Sequence, residues 1–121
     1  MPHLNLEYSD NLRELNVDTL LLRLNHALVG SGQFADERDI KSRAQAFAHY
    51  RVGTGTGERA FAHVRLAILD GRSPEVKSQL SASLLDVLRE AILERPGLDL
   101  QLCVEVLDID RAPYAKLYLP G

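Results

Sequence analysis

The chain has 121 residues, 45% of them hydrophobic and 26% charged, and a net charge of −3 with a pI of about 5.8. This length suits one domain, and the acidic balance disfavours binding to nucleic acid or to an anionic membrane. Cys103 is the one cysteine, which excludes an intrachain disulfide, and the sequence has neither a signal-peptide pattern nor an apolar run of the ~20 residues that a membrane span needs. We therefore expect a cytoplasmic protein with no nucleic-acid or membrane partner.

The first half of the sequence predicts a strand, a helix and a second strand. PHLNLEY alternates, so every second residue from Pro2 to Tyr8 is expected on one buried face. Leucines at helical spacing predict a helix from Val17 to about Val29, which GSG at 30–32 ends. SRAQAFAHYRV alternates more weakly and predicts a strand over 42–52. GTGTGE then predicts a hairpin turn rather than a phosphate loop, because the Lys-Ser/Thr pair of a P-loop is absent.

The second half predicts the same succession. RAFAHVRLAIL alternates clearly and predicts a third strand. DGRSPE ends that strand and begins a helix, with Ser73 as the N-cap and Pro74 at the first helical position, where its missing N–H does no harm. RPG at 95–97 is expected to end this helix. LDLQLCVEVL predicts a last strand, and the irregular tail after it is expected to hold one more short strand at 115–119.

The two halves align at a constant shift of 60 positions. The matching pairs are His3 and His63, Leu6 and Leu66, Asp10 and Asp70, Leu20 and Leu80, Leu24 and Leu84, and Leu28 and Leu88. Leucine matches are common in leucine-rich helices, but a shift shared by a strand, a turn and a helix indicates two copies of one β-α-β unit. Parallel strands joined by a right-handed crossover helix are expected within each unit.

These elements predict an α+β fold. We expect a single domain over residues 1–121, made of β-α-β units at about 2–52 and 59–108 with a C-terminal tail at 109–121. The units would together form a four-stranded mixed sheet that carries both helices on one face. The other face combines polar side chains with alanines and Phe47, so it is either solvated or packed on other subunits.

Pro2 is a candidate general base. If the initiator methionine is removed, the nitrogen of Pro2 becomes a free secondary amine. An α-amino group titrates at about 7.7–8.0, and burial lowers that pKa because it disfavours the charged form. A base with a pKa near the working pH suits proton transfer. The alternative is a proline without a catalytic role, because many chains begin Met-Pro.

Three cations are candidates for binding carboxylates. Arg72 lies in DGRSPE, between a strand end and a helix N-terminus, where an arginine fork and free backbone N–H groups coincide. Lys41 and Arg43, in DIKSRA, are two positions apart and so point the same way on a strand. The alternative for each is a solvated turn or strand residue. The four histidines lack metal-ligand spacing, so no metal site is expected, and Cys103 is expected to be a packed thiol.

The segments MPHLNLEYSDNL, DIKSRA and LDGRSPE, together with the β-α-β repeat, resemble the 5-carboxymethyl-2-hydroxymuconate Δ-isomerase family, a group of long chains in the tautomerase superfamily. AILDGRSPEVKSQL also resembles the opening of the short 4-oxalocrotonate tautomerases. The resemblance extends to about residue 107. Its most specific part is the Pro-His-x-x-x-Glu-x-Ser-Asp-Asn opening.

The resemblance implies a homotrimer that uses no cofactor and isomerises an unsaturated 2-hydroxy or 2-oxo dicarboxylate in aromatic-acid catabolism. Pro2 matches the family's amino-terminal acid/base, and Arg72 matches an arginine that binds a substrate carboxylate. Lys41 stands where the family pattern I-R-S-R has its first arginine, so the charge is kept but the bidentate fork is lost. Arg43 matches the last residue of that pattern and could partly compensate.

Two other functions stay open on the sequence. Another reaction on the same amine, such as hydration, dehalogenation or decarboxylation, would need a carboxylate near Pro2 to activate water. A non-catalytic oligomeric binding module would follow if Met1 is retained, because an acylated Pro2 nitrogen has no basic lone pair.

Overall fold

Four strands and two α-helices make up the fold, and the structure, a computed structural model, describes residues 1–121. In chain order the elements are β1 (His3–Ser9), α1 (Val17–Gly30), β2 (Lys41–Phe47), β3 (Arg59–Leu69), α2 (Pro74–Ala91) and β4 (Asp99–Ile109). A short 3₁₀ helix, Glu37–Asp39, leads into β2. Neither α-helix has the length and apolar character that crossing a membrane would require.

The strands form one mixed sheet in the order β2-β1-β3-β4. β1 runs parallel to β2 and β3 runs parallel to β4, while β1 and β3 meet antiparallel in the centre. The edge at which β1 and β2 begin is therefore also the edge at which β3 and β4 finish. We call this edge the amine end of the sheet, because the amino terminus lies there. The predicted four-stranded mixed sheet is confirmed.

Leucines from both helices pack on one face of the sheet. The equivalent helix positions are each at most 2% exposed, and they are Leu20, Leu24 and Leu28 in α1 and Leu80, Leu84 and Leu88 in α2. Alternate residues of the central strands, such as Leu4 and Leu66, complete this core. Burial of one such side chain contributes about 1.5–3 kcal/mol, so packing rather than helix propensity holds the helices in place. Both helices lie on one face, as predicted.

Side-chain caps set the start of each helix. The Asn16 side chain accepts a hydrogen bond from the Thr19 backbone N–H at 3.1 Å, and Ser73 accepts one from the Val76 N–H at 3.2 Å. Pro74 occupies the first turn of α2, as the sequence predicts. The cap at Ser73 fixes the turn between β3 and α2.

Two predictions for the second half of the chain were wrong, namely the end of α2 and a strand in the tail. Helix α2 ends at Ala91, before RPG, because Ile92 leaves the helix in an extended conformation and is buried in the core at 5% exposure. No strand forms at 115–119, where the chain has no regular secondary structure. The tail is instead held by side-chain contacts.

Three expectations for the outer part of the sheet also need correction. GTGTGE is not a hairpin turn, because β1 lies between β2 and β3 and the segment must cross it. Strand β2 ends at Phe47 instead of continuing to 52. The thiol of Cys103 is exposed rather than packed, because its position on β4 faces away from the helices.

Candidate active site

Pro2 begins the sheet at the amine end and is fully buried. Its carbonyl accepts a hydrogen bond of 3.1 Å from the backbone N–H of Lys41. The antiparallel register that joins His3 to Ala67 continues toward Pro2, so the first residues of the chain lie between the start of β2 and the finish of β3. The fixed ring and the burial together hold the proline nitrogen in one position.

An amine at this end of the chain has a lowered pKa. With Met1 in place, the pKa of the α-amine falls from 8.0 to about 6. Burial is the largest cause, and the next are the hydrogen bond and the charge of Lys41, followed by the charge of Lys116, while Asp39 acts in the opposite direction. Lys41 and Asp39 are held beside the amino terminus by the backbone of β2 and the segment before it, and Lys116 by its ion pair with Asp39. An amine in this environment is therefore mostly neutral at neutral pH.

Lys41 and Arg43 lie on the outer face of β2, opposite His3 and Asn5 of β1. The Arg43 Nε donates to Asn5 Oδ1 at 3.0 Å, and its Nη2 donates to His3 Nδ1 at 2.8 Å. The expectation that the two cations point the same way is met, since residues two apart on a strand share a face. Neither cation forms an ion pair with a carboxylate.

Arg72 lies at the same end of the sheet but on the helix side. Its Nη2 donates to the backbone carbonyl of Gln33 at 2.7 Å, and its Nε donates to the side-chain carbonyl of Gln33 at 3.3 Å. The guanidinium also stacks over the Phe34 ring at 4.8 Å. Arg72 makes no direct contact with Lys41 or Arg43, and no carboxylate pairs with it.

The three predicted cations differ from most Lys and Arg residues of the chain, which pair with an Asp or Glu side chain, as Arg23 does with Glu90. An arginine or lysine without an acidic partner keeps its charge available to an incoming anion. Lys41, Arg43 and Arg72 therefore give the amine end an excess of unpaired positive charge on both sides of the sheet.

His3 is neutral and has a defined tautomer. Burial is the main cause of its lowered pKa, followed by the charge of Arg43 and then that of Lys41. Arginine can only donate, so His3 Nδ1 must accept and His3 Nε2 carries the proton. Nε2–H then donates to the hydroxyl of Tyr114 at 3.2 Å. This chain of contacts ties the tail to the first strand.

The tail brings residues to the amine end that no pattern in the sequence predicted. Lys116 Nζ lies 2.5 Å from Asp39 Oδ1, and Arg38 Nη1 donates to the Tyr118 hydroxyl at 2.9 Å. The one signal in the sequence was that Tyr114, Lys116 and Tyr118, whose side chains end in polar groups, alternate in APYAKLYLPG. That alternation was interpreted as a strand instead. Side-chain contacts between distant segments leave no local pattern.

An open concavity lies at the end of the sheet opposite to the amine end. It is a cavity of about 260 Å³, lined mainly by apolar side chains that include Leu12, Leu15, Ile92 and Leu98. None of the predicted site residues lines it. The polar groups suited to proton transfer and to anion binding are at the amine end instead.

Comparison with known proteins gives the relationships of the chain. Residues 2–116 match the family model of 5-carboxymethyl-2-hydroxymuconate isomerase. The chain is 31% identical over 111 residues to 5-carboxymethyl-2-hydroxymuconate Delta-isomerase of Escherichia coli, with 88% of this chain and 87% of that protein covered.

Two solved structures place the fold. The crystal structure of a 5-carboxymethyl-2-hydroxymuconate isomerase from Deinococcus radiodurans R1 is 34% identical, with a TM-score of 0.88 over 96% of this chain and 88% of that one. The symmetric trimer of a fused wild-type 4-OT, at 22% identity, has a TM-score of 0.65 over 90% of this chain and 86% of that one, and shares the fold. By the family match and the identity to the E. coli enzyme, the chain belongs to the 5-carboxymethyl-2-hydroxymuconate isomerase family.

Proposed function

We propose that the chain isomerises an unsaturated 2-hydroxy di- or tricarboxylate such as 5-carboxymethyl-2-hydroxymuconate, with the amino-terminal nitrogen of Pro2 as the acid/base. The observation that carries this proposal is a buried amino-terminal position where an amine has a lowered pKa and where cations without acidic partners lie nearby. The relatives' names give the substrate class. The setting we propose is cytoplasmic catabolism of aromatic acids.

The reaction is a proton shift that conserves all atoms. The neutral Pro2 amine takes the proton of the substrate's 2-hydroxyl group, and the electrons move through the conjugated chain toward a carbon. The protonated amine then returns the proton to that carbon, which leaves a 2-oxo isomer. A neutral amine can accept a proton, and an amine whose pKa is near the working pH can also release one. The lowered pKa of the Met1 amine, about 6, supports this role for an amine at this end of the chain.

The cations hold the substrate in register with the amine. Lys41 and Arg43 approach from the outer face and Arg72 from the helix side, so an extended dicarboxylate lying across the sheet end would meet positive charge at each of its ends. Charge-assisted hydrogen bonds are the strong ones. In this proposal Arg72 anchors one carboxylate, while Lys41, assisted by Arg43, anchors the other and draws electron density toward it.

We also propose that the chain acts as one domain per subunit of a homotrimer. The outer sheet face supports this assembly, because it carries half-buried or exposed small residues, such as Ala67 and Cys103, beside polar ones rather than a continuous charged surface. A structural relative at 22% identity is a symmetric trimer. Sedimentation equilibrium of the purified protein measures the state directly, and a monomer would contradict this assembly.

The test of the amine is a pair of measurements on one sample. Intact mass establishes whether Met1 is removed, and ketonisation of 2-hydroxymuconate, followed by absorbance, gives turnover. General acid–base catalysis contributes about 10²–10⁴-fold, so Pro2→Ala, which replaces the rigid secondary amine, is expected to lower turnover by about 10²-fold. Pro74→Ala is the matched control, because that proline lies in the first turn of α2. Full activity of Pro2→Ala, or an active enzyme that retains Met1, would contradict the proposal.

A further inference from the structure

The C-terminal tail returns to the amine end and is fastened there at several points. Arg111 donates to the backbone carbonyl of Asp70 at 2.9 Å, and Tyr114 accepts from His3 at 3.2 Å. Lys116 pairs with Asp39 at 2.5 Å. These contacts reach the turn after β3, the first residue of β1 and the segment just before β2, so the tail runs along the edge where Pro2 lies.

The contact of Lys116 brings its ammonium group close to the proposed base. Asp39 is two residues before Lys41, and the Lys41 N–H is bonded to the Pro2 carbonyl. The charge of Lys116 reaches the amino terminus, since it contributes to the lowered pKa of the amine there. About 39% of the Lys116 side chain is exposed, so an incoming ligand can reach it.

The charges around the amine are unbalanced. Lys41, Arg43 and Lys116 contribute three positive charges, and Asp39 is the single carboxylate that pairs with any of them. The ammonium group of lysine has three N–H donors, so Lys116 can keep its bond to Asp39 while a second carboxylate binds. Asp39 then serves to hold the flexible lysine stem in place. An incoming dianion would reduce the excess charge.

We propose that Lys116 is a specificity-determining residue that, together with Lys41, receives one carboxylate of a dicarboxylate substrate. The inference rests on the proposed function for the kind of substrate, and it adds a binding group from a segment that the strand pattern does not include. In this arrangement Asp39 and Tyr114 are positioning residues. The tail thus forms one wall of the site.

Binding of two matched ligands tests the subsite without any turnover. trans,trans-Muconate and sorbate share the same six-carbon trans,trans-diene chain, but sorbate lacks the second carboxylate. A hydrogen bond to a charged group contributes enough for about a tenfold change in affinity or more. Titration calorimetry is expected to show about tenfold weaker muconate binding to Lys116→Met, unchanged sorbate binding, and recovery in Lys116→Arg.

Lys77→Met is the matched control, because Lys77 also pairs with an aspartate, Asp108, but on the outer edge of the sheet at β4. It should leave both affinities unchanged. A purely structural role of the tail would weaken both ligands equally in Lys116→Met, together with a lower melting temperature. That result would overturn the subsite. So would unchanged muconate binding in Lys116→Met, or no muconate binding by the wild type.

Turnover of 2-hydroxymuconate by the wild type separates the two proposals. If muconate binding depends on Lys116 but no ketonisation occurs, the subsite stands and the proposed isomerisation fails. If ketonisation occurs and its KM does not change in Lys116→Met, the isomerisation stands and the subsite fails.

Discussion

The two β-α-β units have the same interior and different outer faces. Leu24 and its repeat equivalent Leu84 are both fully buried, and so are Leu6 and Leu66 on the strands, within 1%. Residues that the shift of 60 positions makes equivalent therefore occupy equivalent buried places in the two units. Since the interior is shared, the chemistry of the chain has to come from positions where the units diverge.

In the first unit the outer face is cationic. The strand partner of His3 is Lys41, and that of Asn5 is Arg43. Arg43 donates to both His3 and Asn5. The adjoining terminal position, Pro2, is where an amine can form.

In the second unit the equivalent contacts are made to an acidic side chain of the outer strand instead of a basic one. The strand partner of His63 is Cys103, and that of Arg65 is Glu105. Glu105 lies 3.1 Å from His63 Nε2 and 3.0 Å from Arg65 Nε, so the charges are satisfied within the unit. The position equivalent to Pro2 is the buried, internal Ala62. The difference between the units is therefore that the outer face of the first carries cations without acidic partners, whereas Glu105 compensates the cationic side chains on the outer face of the second.

Truncation of the shared interior should have the largest effect, and an equal one in both units. Leu24→Ala and Leu84→Ala each remove a fully buried side chain, for which about 2–5 kcal/mol of stability is usual. Urea denaturation at fixed protein concentration measures the free energy of unfolding. If one variant were nearly neutral, the two interiors would not be equivalent.

Removal of the unpaired cations at the amine end should weaken substrate binding, whichever unit carries the cation. Lys41→Met and Arg72→Gln are each expected to raise the KM for a 2-hydroxymuconate by about tenfold, because each removes a charge-assisted contact. Lys41→Arg should improve turnover, since the guanidinium can bind a carboxylate through two parallel bonds. No change in Lys41→Arg would show that the second carboxylate binds elsewhere.

Arg89→Gln is the control for the cation variants. Arg89 is an exposed residue near the end of α2, in the second unit, and has no carboxylate partner. Its replacement should leave KM and kcat unchanged. An equal rise in KM would mean that the overall charge of the protein, and not the position of Lys41 or Arg72, controls substrate binding.

The pH profile should reflect the amine of the first unit. Burial and Lys41 lower the pKa of an amine at this position, to about 6 when Met1 is present. Because only the neutral amine accepts a proton, kcat/KM should rise with pH through an acid limb below 8.0. Lys41→Met removes a cation that disfavours the protonated form, so the limb should move to higher pH. A shift to lower pH, or none, would contradict this cause.

The histidines should give the smallest effect. His63→Gln loses its contact with Glu105, a partly exposed pair for which about 0.2–1 kcal/mol is typical. Its activity should be unchanged. His3→Gln loses the contact between β1 and Tyr114, and we expect a higher KM with little change in the melting temperature. Equal kinetics in the two variants would remove the proposed difference between the outer faces.

Much of the fold could be predicted from local patterns. Alternation located β1 and β3, helical spacing located α1, and DGRSPE located the start of α2, because each pattern depends on neighbouring residues alone. Predictions failed where a distant partner decides. Ile92 leaves the helix early to enter the core, and the segment 48–58 crosses β1 instead of turning back.

The sequence by itself determined the two units, their shared leucine interior, and the family through Pro2 and its neighbours. Tertiary structure alone decided that the units meet antiparallel, which brings the start of β1 and the turn with Arg72 to one edge. It also decided that the tail returns to this edge and places Lys116 beside Asp39. The physical reason is that periodicity records which side of an element is buried, whereas contacts between charges from distant segments depend on how the elements are assembled.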